Sequence, residues 1–336
     1  MKTPGITHCP ATLASGYDTY SPEALRQLFD NVPVSHRLDI PHNENSRLLM
    51  DANIRHVSIS GVREKLAAVV DQGRLRLTWE GRQSHYIIKP VPDDSQLTNR
   101  NQMPANEHLT MQIARQAYGI RTADNAMIFF RNGEPAYITK RFDIRDDQTK
   151  IPQEDFASLM QKTSATHGER FKYVGSYADL KILFDQYAPG ETERSNFFRL
   201  IIFNYLFANG NAHLKNFSLQ QSHNGDYTLS PAYDLLNTSL HVQDKDFALE
   251  GGLFAREFYS QIYRQDGHPC AEDFHVFGQM NGLSNSQIYS IMQDFLYPHP
   301  LVSTLTQSSY LPLPSRRAYL RTYQERLARL NRINRH

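Results

Sequence analysis

The stretch Phe207-Ala208-Asn209-Gly210-Asn211-Ala212-His213-Leu214-Lys215-Asn216-Phe217 constrains the fold more than any other part of the chain. The apolar run before it, from Phe197 to Leu206, reads as a buried helix that gives way to a polar loop. After it, Phe217-Ser218-Leu219-Gln220 and Tyr227-Thr228-Leu229-Ser230 read as a two-strand unit turning at Asn224-Gly225, followed by Pro231-Ala232-Tyr233-Asp234. The loop therefore carries the amide of Asn211, then Lys215, then the amide of Asn216, with a carboxylate beyond the hairpin. The remainder of the chain has to supply a body into which helix, loop and hairpin fit.

That order of parts is the order of a kinase catalytic loop. There a loop acid orients the nucleophile, an Asn and a later Asp hold Mg²⁺, and a Lys steadies the phosphate being moved. In that order the Lys would be Lys215, the Asn and later Asp would be Asn216 and Asp234, and Asn211 stands where the acid belongs.

Upstream, Ser21 suits an N-cap and Pro22 the first position of a helix running to Phe29, while residues 1–50 otherwise look irregular. From His56 the texture is that of strands, with Leu66–Val70, Leu75–Trp79 and Ser84–Lys89 as the clearest. Ser58-Ile59-Ser60-Gly61 is a turn whose hydroxyls and backbone N–H groups could fold over a polyphosphate, although the same residues make ordinary bends. Lys89 ends an apolar strand just before Pro90, where it could reach the α- and β-phosphates of ATP or simply be solvated. Glu107, in the Asn106-Glu107 pair at the start of the next helix, offers a counter-charge of the kind that positions nucleotide phosphates in protein kinases. Its alternative role is a first-turn acid complementing the helix dipole.

Ala126–Phe130 and Pro135–Asp143 form a hairpin around Asn132-Gly133, and the second strand leads toward a hinge near Lys140 and Phe142 where adenine would meet backbone groups. From about residue 150 the pattern is mostly helical, over 153–161, 176–185, 191–208, 257–264, 270–280, 284–295 and 315–334. Glu154-Asp155 reads as a pair of first-turn acids.

Composition narrows the class. The 336 residues are 40% hydrophobic, enough for a substantial core. Lys plus Arg number 36 against 35 Asp plus Glu, so there is no bulk drive toward nucleic acid or acidic membrane. Basic residues gather in the C-terminal segment 316–332, read as a solvated helix face. Cys9 and Cys270 make neither a metal site nor a disulfide scaffold, and the histidines have no metal-ligand spacing; His213 is expected to shape the loop. No signal peptide is evident, and no apolar run reaches the roughly 18 residues of a membrane span. A soluble cytoplasmic protein is the expectation.

Taken together, Ser58-Ile59-Ser60-Gly61-Val62-Arg63-Glu64-Lys65, Asn106-Glu107, Lys140-Arg141-Phe142-Asp143, Asn211 to Asn216 and Pro231-Ala232-Tyr233-Asp234 resemble the HipA family of bacterial serine/threonine-kinase toxins. Its opening Cys-Pro motif already stands at Cys9-Pro10, so the chain is most similar to the shorter HipT toxins of three-gene HipBST systems. The resemblance implies an α+β, bilobal, protein-kinase-like (HipA-like) fold, with a small β-rich N-lobe over 1–145 and a mostly helical C-lobe over 146–336. It implies that Lys89 holds the nucleotide phosphates and Glu107 orients it, with Ser58, Ser60 and Gly61 covering the phosphates. Backbone groups near Lys140 and Phe142 would receive adenine, Asn216 and Asp234 would bind Mg²⁺, and Lys215 would stabilise the transferred phosphoryl group.

The implied partners are a HipS-like small protein, a HipB-like DNA-binding protein through which DNA is reached indirectly, and an aminoacyl-tRNA synthetase substrate, tryptophanyl-tRNA synthetase being the one associated with HipT. Ser58 and Ser60 would be autophosphorylation sites, since phosphate there adds about two negative charges where ATP must sit. Asn211 departs from the family's Asp, and a neutral amide cannot take the acceptor hydroxyl's proton. This form is therefore expected to be inactive, by an engineered Asp→Asn change; the rivals are a natural pseudokinase and a small-molecule phosphotransferase.

Overall fold

The computed structural model describes residues 5–38, 65–78, 83–145 and 147–333. The turn at Ser58, Ser60 and Gly61 lies outside the described residues. In chain order, the N-terminal elements are α1 (Pro22–Phe29), β1 (Arg37–Leu38), β2 (Leu66–Asp71), β3 (Arg74–Leu77), β4 (Tyr86–Lys89), α2 (Met103–Gln116), β5 (Asn125–Phe130) and β6 (Pro135–Lys140). There follow β7 (Gln153–Asp155), α3 (Phe156–Leu159), α4 (Ser164–His167), α5 (Lys181–Tyr187), α6 (Glu191–Leu206), β8 (Ser218–Gln221) and β9 (Tyr227–Leu229). The chain ends in α7 (Gln261–Asp266), α8 (Ala271–Met280), α9 (Asn285–Gln293), α10 (Pro300–Ser308) and α11 (Leu313–Leu330).

The first six strands form one sheet in the order β1-β5-β6-β4-β2-β3, parallel only between β1 and β5. Side chains alternate across its two faces with period two. Ala126, Ile128 and Phe130 of β5, Ala136 and Ile138 of β6, and Tyr86 and Ile88 of β4 pack against α1 residues Ala24, Leu28 and Phe29. Met127, Phe129 and Tyr137 face the other way, into the core containing Leu109, Met111 and Ile113 of α2. By the same alternation Lys89, next to Ile88, is carried on the α2 face. A one-residue slip of β4 would turn the ammonium away from α2.

Helix α2 lies between this sheet and the helical body, which is why every residue from Met103 to Ala114 is buried. The second sheet, β7-β8-β9, caps the C-terminal body. Its register pairs Asp155 with Ser218, so β7 lies against the strand that leaves the central loop. The expected α+β class, with a sheet region followed by a helical region, is the one found.

Several expected elements differ in detail. The segment 153–161 is a strand followed by a four-residue helix, because Asp155 caps α3 through Ser158 N and the residues before it pair with β8. Residues 1–50 contain β1, a two-residue strand too short to carry a readable alternation. The 176–185 span begins as a 3₁₀ turn before α5, and Pro300 opens α10 where no helix was expected.

Candidate active site

Three segments far apart in sequence meet at Lys89. Its Nζ donates to Glu107 Oε1 at 2.5 Å and to Asp234 Oδ1, and it lies 5.2 Å from the centroid of the Tyr137 ring. Lys89 is 8% exposed and Glu107 3%. Burial alone would lower the lysine's pKa, but the Asp234 and Glu107 carboxylates outweigh it and the net shift is upward, so the ammonium stays charged. Glu107 is not in the first turn of α2, which contains no acid; it stands further in, facing the sheet.

The neighbouring Asn106 fixes that geometry. Wholly buried, it donates from Nδ2 to Asn237 O at 2.7 Å and to His241 Nε2 at 2.8 Å, and its Oδ1 accepts from Asn237 N at 3.1 Å. His241 Nδ1 meets Thr98 O at 3.0 Å, which makes Nδ1 the donor and Nε2 the acceptor. One side chain thus clips α2 to the segment that follows Asp234, and Glu107 and Asp234 are held in register. Asp234 itself has φ +57°, a left-handed conformation that Asp tolerates better than most residues.

The central loop is pinned along its length. Helix α6 ends at Leu206 with Phe207 as its C-cap, Asn209 N returns to Asn204 O at 2.8 Å, and Thr238 Oγ1 donates to Ala208 O while accepting from Gly210 N, both at 2.9 Å. Gly210 packs against the Asp244 carboxylate, which an added Cβ would displace. Tyr177 OH donates to Ala212 O at 2.8 Å. Asn211 O accepts from His213 N and from Asn216 Nδ2, both at 2.8 Å.

That last bond sets the Asn216 amide with its nitrogen toward the loop, leaving Oδ1 as the donor for a cation. Asn216 Oδ1 and the Asp234 carboxylate are hard oxygens of the kind Mg²⁺ takes. Among the described residues no group of three or more His, Cys, Asp or Glu side chains could hold a metal. Mg²⁺ is commonly bound through one or two protein oxygens together with phosphates and water.

His213 is 7% exposed, stacks edge-on to Tyr173 at 5.3 Å, and has no partner for Nδ1 among the described residues. Burial, then Lys172, push its pKa down to about 4. Lys215 Nζ donates to Asp155 Oδ2 at 2.8 Å, and Lys215 O accepts from Tyr233 OH at 3.0 Å.

The structure thus joins Lys89, Glu107 and Asp234 directly and Asn211 to Asn216, and Tyr233, next to Asp234, ties that cluster to the loop through Lys215 O. Phe142 joins them through its ring, 5.6 Å from Tyr233. Lys140 does not: its Nζ goes to Asp30 at 2.6 Å and its backbone N–H to Asp124 O at 2.8 Å. Sequence reasoning missed the roles of Asn106, Tyr233 and Asp155. An amide among apolar residues in the first turn of α2 was the one available signal for Asn106; Asp155 gave none beyond its suitability as a cap.

Residues 57–296 match the HipA-like C-terminal domain. A Haemophilus influenzae protein named "Putative kinase" is 27% identical over 329 residues, covering 94% of this chain and 93% of its own length. A protein of the same description from Sinorhizobium fredii is 27% identical over 224 residues, 62% of this chain and 51% of its own. Among solved structures, the HipA of Shewanella oneidensis MR-1, in complex with HipB and operator DNA, has a TM-score of 0.57 at 18% identity, over 81% of this chain and 64% of its own. The Helicobacter pylori proinflammatory kinase CtkA has a TM-score of 0.50 at 11% identity, over 78% and 93%. These two likenesses are of fold. No helix among the described residues is long and apolar enough to cross a membrane.

Proposed function

The chain belongs to the family of HipA-like C-terminal domains, and from that premise we propose that it is an ATP- and Mg²⁺-dependent serine/threonine protein kinase of a bacterial toxin–antitoxin system, of the short HipT kind. The observation that carries this reading is the Lys89 ammonium held between Glu107 and Asp234. Removing these charges from water is costly, and stability alone does not call for them. A kinase does, because the same ammonium must meet the nucleotide phosphates while the helix acid orients it.

The nucleotide-holding half would span 1–145 and the helical half 146–336. Lys89 would grip the α- and β-phosphates. Adenine would take main-chain groups nearer Phe142 than the Lys140 N–H, which Asp124 O already occupies. Asn216 and Asp234 would hold Mg²⁺, which when bound neutralises charge on the phosphates. Lys215 would meet the phosphoryl group in transit. Position 211 would face the acceptor hydroxyl in this scheme: an Asp there would take its proton as the hydroxyl oxygen bonds to the γ-phosphorus and the bond to the bridging oxygen breaks to release ADP, and Asn211 cannot.

Ser58 and Ser60 would be autophosphorylated, a second means of silencing the site through charge. The target would be an aminoacyl-tRNA synthetase, tryptophanyl-tRNA synthetase first. HipB-like and HipS-like proteins would be the antitoxin partners, with DNA reached through the former. The Shewanella HipA, seen with HipB and DNA, motivates that expectation. Asn211 supports a second reading, a pseudokinase that binds nucleotide and occupies antitoxin partners.

Intact-mass measurement after incubation with Mg²⁺-ATP tests both. Phosphate added only to the Asn211→Asp form supports the kinase. ATP binding with no phosphate added to either form supports the pseudokinase.

A further inference from the structure

Lys215 is held at both ends, and the residue that holds its ammonium has no part in the scheme above. Its carbonyl is fixed by Tyr233 OH, which also bonds Ser218 Oγ at 2.7 Å. Its Nζ is fixed by Asp155 Oδ2 at 2.8 Å. Asp155 is itself immobilised on three sides. Oδ1 accepts from Ser158 N at 3.0 Å as the N-cap of α3. Its backbone pairs with Ser218, and the next residue's N–H bonds Phe217 O at 2.9 Å. The Phe156 ring stacks on Phe217 at 5.7 Å.

The two side chains are 29% and 21% exposed, and an ion pair that wet contributes little to stability. What it does contribute is position. A free lysine samples many rotamers; one tied to a rigid carboxylate presents its ammonium at one point. An ammonium has three N–H donors, so the bond to Asp155 leaves two for phosphoryl oxygens.

We propose that Asp155 is the positioning residue of the phosphoryl-transfer step: its carboxylate splits its two oxygens between capping α3 and holding the Lys215 ammonium in place. Asp155 touches neither nucleotide nor acceptor and acts only through Lys215. The chemistry assigned to Lys215 rests on the kinase reading, whereas the hold on its ammonium does not.

The test exploits the double duty. Asn and Ser both cap helices well, so Asp155→Asn and Asp155→Ser keep α3 while removing the charge. In the Asn211→Asp background with Mg²⁺-ATP, both should lower the kcat of autophosphorylation roughly ten- to a hundredfold, with the KM for ATP within about twofold and the melting temperature nearly unchanged. Asp155→Glu, which keeps the charge, should retain more activity than Asp155→Asn. A second readout needs no catalysis: acetic anhydride labelling of Lys215 in the Asn211 chain, followed by peptide mass spectrometry, should rise several-fold in Asp155→Asn.

An unchanged kcat overturns the proposal. So does a kcat lost together with melting temperature and ATP KM, which is the signature of a structural role. If the Asn211→Asp parent transfers no phosphate, the kinase reading has failed by itself. The labelling then decides the pair: a rise supports the hold of Asp155 on Lys215, and no change overturns it.

Discussion

Lys89 Nζ stands 2.5 Å from Glu107 Oε1, both side chains buried, and the partly exposed Asp234 closes on the same ammonium from the segment after β9. Removing one partner of such a group leaves the rest uncompensated. Lys89→Met strands the 3%-exposed Glu107 carboxyl and should cost about 3 kcal/mol in urea unfolding. Glu107→Ala should cost less, roughly 1–2 kcal/mol, because Asp234 still serves the lysine. The double change Lys89→Met with Glu107→Leu should recover most of the stability, since an apolar pair replaces a desolvated one. It should not recover ATP affinity, measured by calorimetry. Recovery of both would mean that the pair is scaffolding only.

On the kinase reading proposed above, Asn211→Asp should raise phosphoryl transfer by about 10²–10⁴-fold. ATP affinity should stay within severalfold, because the Asn211 contacts that hold the loop come from its backbone carbonyl, which any residue supplies. Parallel rate and binding measurements on the two forms check this. A large change in ATP affinity would show that the residue at 211 acts on the nucleotide rather than on the acceptor.

How much of this is legible without the structure differs from residue to residue. Lys89 can be placed because β4 is short and apolar and Pro90 marks its end, and period two then fixes its face. Asn211 to Asn216 is readable because the mostly apolar second half of α6, Phe197 to Leu206, stops at a polar loop. Glu107 is readable only as a charge near a helix start, and its direction depends on how α2 sits between sheet and body. The function of Asp155 is hidden because its partner is 60 residues away in sequence, and a capping acid and an ion-pairing acid look alike in one dimension. Strand β7 reads as helix for the same reason: three residues carry no period, and only pairing with β8 makes them a strand. Tertiary hydrogen bonding, not local propensity, decides each of these.

The Asn106 amide joins α2 to the segment after Asp234 through Asn237 and His241. Asn106→Ala leaves the Asn237 carbonyl and amide and His241 Nε2 without this partner inside the protein. It should cost roughly 2–3 kcal/mol in denaturant unfolding. It should also weaken ATP binding without touching the nucleotide, because Glu107 and Asp234 lose their common register. Asn106→Asp keeps the size and the acceptor for Asn237 N but replaces two donors with a buried charge, so it should be the worse of the two. Equal ATP affinity in Asn106→Ala and the parent would remove the clip from the account of the site.

Two histidines give the protein an acid-side weakness with a defined window. His108 on α2 is fully buried, meets Ala11 O through Nε2 at 2.8 Å, and burial pushes its pKa down to about 4. His213 in the central loop is pushed down to about 4 as well, by burial and then by Lys172. Both start from 6.5 in the unfolded chain. Between those values the unfolded state binds protons that the folded state refuses. Stability is therefore full above about pH 6.5 and falls toward pH 4, by up to about 1.4 kcal/mol per pH unit for each histidine. Melting temperatures at pH 7.5 and pH 5 should differ by several degrees in the parent. The His108→Gln, His213→Gln double variant should lose much of that difference, since neither amide titrates and the one replacing His108 keeps an N–H for Ala11 O. An identical pH slope in parent and double variant would place the acid sensitivity elsewhere in the fold.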